Sequence, residues 1–228
     1  MWLLKNVFDL FYPPFCYGCN EVLQKNDDIL CNHCLLHLSF VPISVDTNTE
    51  MKRRFYGKLK VEHCIAVLYF SENGITQQLL HALKYKNQQK IGVFIANLGI
   101  HYLNYHEIFK WTDVIVGVPL HQSKEKERGY NQLDTFCNTL SKHYKLPYYK
   151  DFLIKTSKTK TQTHKNILQR AETKSEFKVN PKYNYLEHKN ILLVDDVMTT
   201  GSTLEIAGNC IVKNTTNQIS ILTMAYTR

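Results

Sequence analysis

Short apolar runs alternate along the chain with longer amphipathic segments. The runs predict buried strands, and the segments between them, where apolar residues recur at helical spacing, predict helices. Buried strands that alternate with helices are typical of a parallel sheet covered on both faces. The pattern therefore predicts an α/β fold with a mainly parallel sheet. The predicted strands are 64–70, 114–118, 191–194 and 219–225, and the predicted helices are 74–84, 91–105, 131–143 and 204–213.

The segment before the first predicted strand has a different character. Its first residues predict a short amphipathic helix. The apolar side of that helix consists of Trp2, Leu3, Val7, Leu10 and Phe11. Residues 40–56 are expected to form a connection. We therefore predict two domains: a helix with a cysteine-rich element over 1–45, and the α/β domain over 46–228.

Four of the seven cysteines lie in one short window of the predicted first domain. Cys16, Cys19, Cys31 and Cys34 have the spacing C-x2-C-x11-C-x2-C. Each pair can direct two thiolates at one ion, and the residues between the pairs allow a hairpin that brings the pairs together. The spacing predicts a structural Zn²⁺ site, since four thiolates leave no coordination position for a reacting water. A disulfide framework is the alternative, and it would require an oxidising compartment.

The chain of 228 residues carries a formal charge of +8, from 28 Lys and Arg against 20 Asp and Glu. This excess is compatible with a polyanionic partner, either nucleic acid or a phosphorylated metabolite. A lysine-rich solubilising surface explains the charge equally well. The chain contains no run of roughly 18 apolar residues, and its start lacks the features of a signal peptide. We therefore expect no membrane span and a cytoplasmic location.

Two acidic residues and a hydroxyl-rich turn follow the predicted strand 191–194. Asp195 and Asp196 come directly after the strand, and the turn that precedes the next helix consists of Thr199, Thr200, Gly201, Ser202 and Thr203. Backbone amides, hydroxyls and the positive end of a helix dipole converge there, which suits a phosphate dianion. A Walker B strand is one alternative, but the chain lacks the G-x4-G-K-[ST] loop that would accompany it. An ordinary capped turn is the other alternative, and it gives no reason for the paired acids.

A second polar segment follows the predicted strand 114–118. Pro119 directs the chain into a turn after Val118, and basic residues follow Leu120. These basic residues are Lys124, Lys126 and Arg128. They alternate with glutamates, so a solvated surface strip is an alternative to an anion site. Ligands of parallel sheets bind beyond the carboxyl ends of the strands, which is where both polar segments are expected.

The segment 155–178 carries seven basic and two acidic residues and is rich in Thr and Ser. Its composition predicts a polar, flexible loop suited to phosphates or to a nucleic-acid backbone. Several tyrosines among the lysines of the chain could stack on bases, although a half-buried core role is the simpler interpretation. They are Tyr85, Tyr102, Tyr105, Tyr130, Tyr144, Tyr148 and Tyr149.

Together these motifs resemble the ComF family of type I phosphoribosyltransferase-like proteins, which is linked to DNA uptake in bacterial competence. The run 191–203, ILLVDDVMTTGST, is similar to the phosphoribosyl pyrophosphate signature of type I phosphoribosyltransferases. The four-cysteine element precedes this run, and the order of the motifs along the chain agrees with that of the family. The other matching motifs are Leu83-Lys84-Tyr85, Val118-Pro119-Leu120, Arg128-Gly129-Tyr130-Asn131-Gln132 and Thr161-Gln162-Thr163.

The resemblance implies a role for each motif. Asp195 and Asp196 would bind the ribose hydroxyls of phosphoribosyl pyrophosphate, and 199–203 would bind its 5′-phosphate. Val118, Pro119 and Leu120 would form the pyrophosphate loop, with Lys124, Lys126 and Arg128 near the leaving group and Mg²⁺ bound with the donor. A mobile loop that closes over the donor would contain Lys160, Thr161, Gln162 and Arg170. The segment at Leu83-Lys84-Tyr85 would contribute to acceptor recognition.

Three functions are compatible with these residues. The first is a phosphoribosyltransferase-fold protein that binds phosphoribosyl pyrophosphate with Mg²⁺ and acts in DNA uptake, with single-stranded DNA and a DNA-uptake helicase as partners. The second is a non-catalytic competence factor that binds single-stranded DNA and uses the phosphoribosyl pocket for ligand sensing. The third is a nucleotide-salvage phosphoribosyltransferase unrelated to competence. The sequence does not identify the acceptor.

Overall fold

Seven α-helices and six strands occur in the residues that the computed structural model describes, which are 13–25, 27–103, 106–120, 128–156 and 177–228. The helices are α1 (Asn32–Leu36), α2 (Val45–Arg53), α3 (Ile75–Tyr85), α4 (Lys90–Leu103), α5 (Ile108–Trp111), α6 (Leu133–Tyr144) and α7 (Ser202–Asn214). The strands are β1 (Cys64–Tyr69), β2 (Val114–Gly117), β3 (Leu153–Lys155), β4 (Phe177–Val179), β5 (Asn190–Met198) and β6 (Gln218–Tyr226).

The central sheet has four strands in the order β1-β6-β5-β2, and every neighbouring pair is parallel. Helices α4 and α6 pack against each other and against β1 and β2, while α7 packs against β5 and β6. The strands are buried, as their nearly uninterrupted apolar runs require. The predicted α/β class with a mainly parallel sheet is confirmed.

Strand β5 is longer than its apolar run. It continues through both acidic residues to Met198, because β6 lies alongside it over the whole distance. The backbone register places Asp195 opposite Thr223 and Met198 opposite Tyr226. Ladder pairing thus outweighs the low strand propensity of aspartate. The two acids are therefore strand residues, and the strand, which was predicted to end at Val194, reaches Met198 at the start of the turn.

The expected connection 40–56 contains a helix instead, α2. The Ser44 hydroxyl caps this helix by accepting a hydrogen bond from the Thr47 backbone N–H at 3.1 Å. Met51 is fully buried and Phe55 nearly so, one turn further on. The sequence pattern missed this helix because most of its residues are polar. Its stability comes from two apolar side chains in the core and from packing against β1.

A separate antiparallel pair, β3 with β4, brackets the predicted loop 155–178. Lys155 lies opposite Phe177, so both ends of that loop belong to a two-stranded sheet. The predicted loop residues Lys160, Thr161, Gln162 and Arg170 lie outside the described residues, as do Lys124, Lys126 and the predicted N-terminal helix.

The predicted division between residues 45 and 46 stays a prediction. Leu23, Leu30 and Leu38 of the cysteine-containing segment belong to the same buried apolar cluster as the sheet. In the described ranges, no helix combines the length and the apolar character needed to cross a bilayer.

Candidate functional site

The carboxyl ends of β2 and β5 lie side by side. Gly117 pairs with Val194, and the Val118 backbone N–H donates to the Val194 carbonyl at 2.8 Å. The segment Val118-Pro119-Leu120 therefore leaves the sheet next to Asp195 and Asp196. Parallel sheets place their ligands at this edge. The described residues of the two polar segments, 118–120 and 195–196, therefore lie at the same edge of the sheet.

Asp195 sits in a half-buried position, and its carboxylate accepts a hydrogen bond from the Asp196 backbone N–H at 2.8 Å. Removal from water raises the pKa of Asp195 to about 8, with a further contribution from the neighbouring Asp196 charge. The ammonium groups of Lys84 and Lys155 oppose this rise. The folded protein therefore disfavours the ionised form of Asp195.

Asp196 is held from two sides. The Lys84 ammonium lies 2.8 Å from Asp196 Oδ2, and the Gln132 side-chain amide donates to the same oxygen at 2.8 Å. Lys84 comes from the last turn of α3, and Gln132 directly precedes α6. Three parts of the chain that are far apart in sequence thus meet at one carboxylate oxygen.

The segment 128–132 is fastened to the end of α3. The Arg128 guanidinium donates to the Gln132 side-chain oxygen at 2.9 Å and lies over the Tyr85 ring, 5.0 Å from its centroid. The Tyr130 hydroxyl donates to the Leu83 carbonyl, and burial raises the pKa of Tyr130, which keeps the donor protonated. Arg128 is therefore connected to Asp196 through the Gln132 side chain.

The hydroxyl-rich turn follows β5 and leads into α7. Gly201 has φ +80°, and a Cβ there would lie 3.1 Å from the Phe55 ring, so glycine is required for both backbone and packing reasons. The four hydroxyl residues of the turn are exposed, and the Thr200 and Ser202 hydroxyls are 2.9 Å apart. The turn thus presents hydroxyls and the first amides of a 13-residue helix to solvent at the carboxyl edge.

The chain end braces this turn. The Thr227 backbone N–H donates to the Met198 carbonyl at 3.0 Å, and the Arg54 guanidinium donates to the Thr227 carbonyl at 2.8 Å. Arg54 also donates to the Tyr226 hydroxyl at 3.1 Å. The residues just after α2 therefore support the hydroxyl-rich turn, a role that the sequence pattern does not indicate.

The sulfur atoms of Cys16, Cys19, Cys31 and Cys34 all lie within 4.8 Å of one another, and all four thiols are free. The Cys19 and Cys31 sulfurs are 3.7 Å apart. Sulfurs at about 2.3 Å from a tetrahedral zinc ion lie roughly 3.8 Å apart, so the cluster could hold a metal ion such as zinc. The predicted ligand set is thereby brought together in space.

Local hydrogen bonds favour a thiolate in this cluster. Burial opposes ionisation of Cys16, but the backbone N–H groups of Cys31 and Gly18, each 3.3 Å from its sulfur, contribute to lowering its pKa to about 7. Burial and the neighbouring sulfurs raise the pKa of Cys34. A divalent cation would therefore be needed to keep all four groups ionised together.

Two members of the site were not assigned to it from the sequence. Lys84 was expected in acceptor recognition, but it contacts Asp196; Gln132 carried no assigned role. Both belong to motifs quoted for the family resemblance, and that was the available signal. Their convergence on one oxygen depends on how α3 and α6 pack, which the motifs do not reveal. The other three cysteines, Cys64, Cys137 and Cys210, are buried.

We expect the purified protein to contain one equivalent of zinc. Cys34→Ser should abolish stoichiometric zinc and lower the midpoint of thermal unfolding, because the site would lose one thiolate and a buried contact. Elemental analysis and thermal denaturation measure both effects. Cys137→Ser is the matched control, since Cys137 is buried outside the cluster; equal zinc in the two variants would contradict the assignment.

We expect Asp195→Asn to stabilise the ligand-free protein in a pH-dependent manner. The raised native pKa means that the unfolded chain loses its proton first, so the wild-type free energy of unfolding falls as pH rises from about 4 toward the native pKa, by up to about 1.4 kcal/mol per unit. Asparagine preserves the shape and carries no charge. The free energy of unfolding of the variant, measured by urea denaturation, should therefore increasingly exceed that of the wild type as pH rises from 5 to 8. A difference between the two proteins that does not change with pH would contradict this account.

The chain is similar to three curated proteins over most of its length. It is 24% identical to Competence protein F of Haemophilus influenzae, with 92% of this chain and 89% of that protein covered. It is 26% identical to Competence protein ComFC of Bacillus subtilis, with 87% and 78% covered, and 26% identical to DNA utilization protein YhgH of Escherichia coli K12, with 93% and 90% covered.

A solved structure of Leishmania donovani UMP synthase aligns with 80% of this chain and 31% of that chain, at 14% identity and a TM-score of 0.36. No model of a known protein family matches the sequence. Across about nine-tenths of its length the chain is therefore similar to the competence and DNA-utilization proteins Competence protein F, ComFC and YhgH.

Proposed function

We propose that this protein binds phosphoribosyl pyrophosphate with Mg²⁺ and acts in DNA uptake during natural transformation. The observation that carries the first part is the convergence of the paired acids, the hydroxyl-rich turn and the segment after β2 at one edge of the sheet. The names of the relatives support the second part, since they are competence and DNA-utilization proteins.

The groups at this edge have the chemistry that the parts of the donor require. Carboxylates accept hydrogen bonds from vicinal sugar hydroxyls, which suits Asp195 and Asp196 to the ribose ring. The exposed hydroxyls and helix start at 199–203 suit the 5′-phosphate. Val118, Pro119 and Leu120, together with Arg128, would bind the pyrophosphate group. Lys124 and Lys126 belong to the same proposed pyrophosphate site.

The donor set also suits Mg²⁺, which prefers oxygen ligands and is often held by one or two carboxylates together with substrate phosphates. When bound with the donor, this ion would neutralise charge on the departing pyrophosphate. Asp195 and Asp196 are the residues that would hold it. The half-buried position of Asp195 disfavours its ionised form, so a cation would restore that form by supplying a compensating charge.

Phosphoribosyl transfer is the reaction that this site supports. A nucleophile would attack the anomeric carbon, and the bond from that carbon to pyrophosphate would break with the electron pair leaving on the pyrophosphate oxygen. The contribution of the protein would be to position the donor and stabilise charge. The predicted loop containing Lys160, Thr161, Gln162 and Arg170 would exclude water from the reacting carbon.

A surface near β3 and β4 supports direct contact with single-stranded DNA. The Tyr149 and Tyr183 rings are 4.8 Å apart, and Tyr185, which follows them, is 69% exposed. The Lys182 ammonium lies 4.7 Å from the Tyr183 ring centroid. Tyr183 is buried and Tyr149 half-buried, so the exposed ring available to stack on an unpaired base is Tyr185, with Lys182 nearby in the chain. A DNA-uptake helicase is the protein partner that this role implies.

We expect the wild-type protein to bind phosphoribosyl pyrophosphate in the presence of Mg²⁺. Replacing both Asp195 and Asp196 by Asn should reduce the affinity at least about a hundredfold, because two charge-assisted contacts to the ligand would be lost. Titration calorimetry measures the affinity, and thermal denaturation checks the fold. Asp46→Asn, an exposed change in α2, should bind as the wild type does.

Equal affinity in the double variant and the wild type would refute this site. Calorimetric binding should be followed by an assay for pyrophosphate release with candidate acceptors. Binding without release for any acceptor would favour ligand sensing over transfer. Transfer to a free base without any DNA affinity would favour nucleotide salvage.

We expect single-stranded oligonucleotides to bind with an affinity that falls steeply as salt concentration rises. Tyr185→Ala should weaken binding about tenfold, since stacking contributes roughly 1–3 kcal/mol per base. Fluorescence anisotropy over a salt series measures both effects. Tyr56→Ala removes a comparably exposed tyrosine elsewhere and should have no effect; salt-independent binding, or equal losses in both variants, would contradict the assignment.

A further inference from the structure

The ion pair between Lys84 and Asp196 occupies the centre of the proposed donor site. The two charged atoms are 2.8 Å apart, and the side chains are only 22% and 14% exposed. An ion pair that is mostly removed from water is screened far less than one on an open surface. The Lys84 ammonium is therefore the principal positive charge facing Asp196 among the described residues.

This position conflicts with the binding of a divalent cation by the acids. Lys84 and Gln132 both contact Asp196 Oδ2, so an ion that used this oxygen would have to displace two donors. The ammonium would also repel the ion at short range. Lys84 thus provides beside Asp196 the positive charge that a metal ion would otherwise supply.

The anchoring of Lys84 allows its charged end to move while its backbone stays. The end of α3 is fixed by the hydrogen bond from Tyr130 to the Leu83 carbonyl and by the packing of Arg128 on Tyr85. The lysine side chain is flexible over four carbons, and its ammonium is a compact point charge with rotatable donors. A phosphate group near Arg128 would attract that ammonium more strongly than the single carboxylate of Asp196 does.

We propose that Lys84 is a positioning residue that pairs with Asp196 in the ligand-free protein and moves to the anionic part of the ligand when the donor binds. A divalent cation then reaches the acids only together with the phosphorylated ligand. This inference rests on the proposed function, because it requires the donor to bind at Asp195 and Asp196. Lys84 is thus the residue that prevents the cation from binding to the acids before the ligand does.

The test compares wild type with Lys84→Met, which keeps the length of the side chain and removes its charge. Titration with Mn²⁺ alone, followed by calorimetry and by electron paramagnetic resonance of the free ion, should show binding to Lys84→Met at least about tenfold tighter than to the wild type. Affinity for phosphoribosyl pyrophosphate with Mg²⁺ should fall about tenfold or more in the same variant, because the ligand loses a cationic contact.

Two variants keep the experiment decisive. Lys84→Arg retains the charge and should exclude Mn²⁺ as the wild type does. Lys110→Met removes an exposed lysine from α5, next to the start of β2 at the opposite edge of the sheet, and should change neither affinity. A gain of Mn²⁺ binding in a variant whose thermal unfolding midpoint equals that of the wild type separates positioning from a structural role.

The outcomes distinguish this inference from the proposed function. If the wild type binds phosphoribosyl pyrophosphate with Mg²⁺ but Lys84→Met binds Mn²⁺ alone no better, the ordering role of Lys84 is wrong and the proposed function stands. If the wild type does not bind the donor at all, the proposed function fails and the inference fails with it. Tight Mn²⁺ binding by the wild type alone would also overturn the inference.

Discussion

The parallel pairing of β2 with β5 is the constraint on which the candidate site depends. Because Gly117 pairs with Val194, the apolar runs of β2 and β5 end at the same edge of the sheet. The segment that follows β2 therefore lies beside Asp195 and Asp196. Parallel strands have their carboxyl ends at the same edge of a sheet, whereas in an antiparallel pair the two segments would lie at opposite edges. The pairing of β5 with β6 then carries Asp195 and Asp196 as strand residues, which fixes their backbone.

The acidic groups of this site lower the stability of the folded protein, because two carboxylates lie close together and partly out of water. Asp195 is half-buried beside a second carboxylate, so its charged form is disfavoured. Lys84 and Gln132 compensate Asp196 and leave Asp195 without an equally close cation among the described contacts. This imbalance is typical of binding sites, where groups are arranged for a ligand and the rest of the fold supplies the stability.

Elements with a strong apolar period were predicted to within a few residues, as for the strands at 64–70 and 219–225. Elements supported by tertiary contacts were not. Helix α2 consists mainly of polar residues and is stabilised by Met51 and Phe55 in the core, and β3 and β4 have three residues each. The continuation of β5 through two aspartates was missed for the same reason, since only the neighbouring strand stabilises it.

By itself the sequence determined the α/β class, the spacing of the four cysteines and the residue types of the acid pair and the turn, because these depend on local periodicity and short-range spacing. The tertiary structure alone decided which of these groups meet. It brought the four sulfurs within reach of one ion, and it joined Lys84, Gln132 and Asp196 at one carboxylate oxygen. Such contacts arise from how helices and strands pack in three dimensions, and no local pattern of residues encodes that packing.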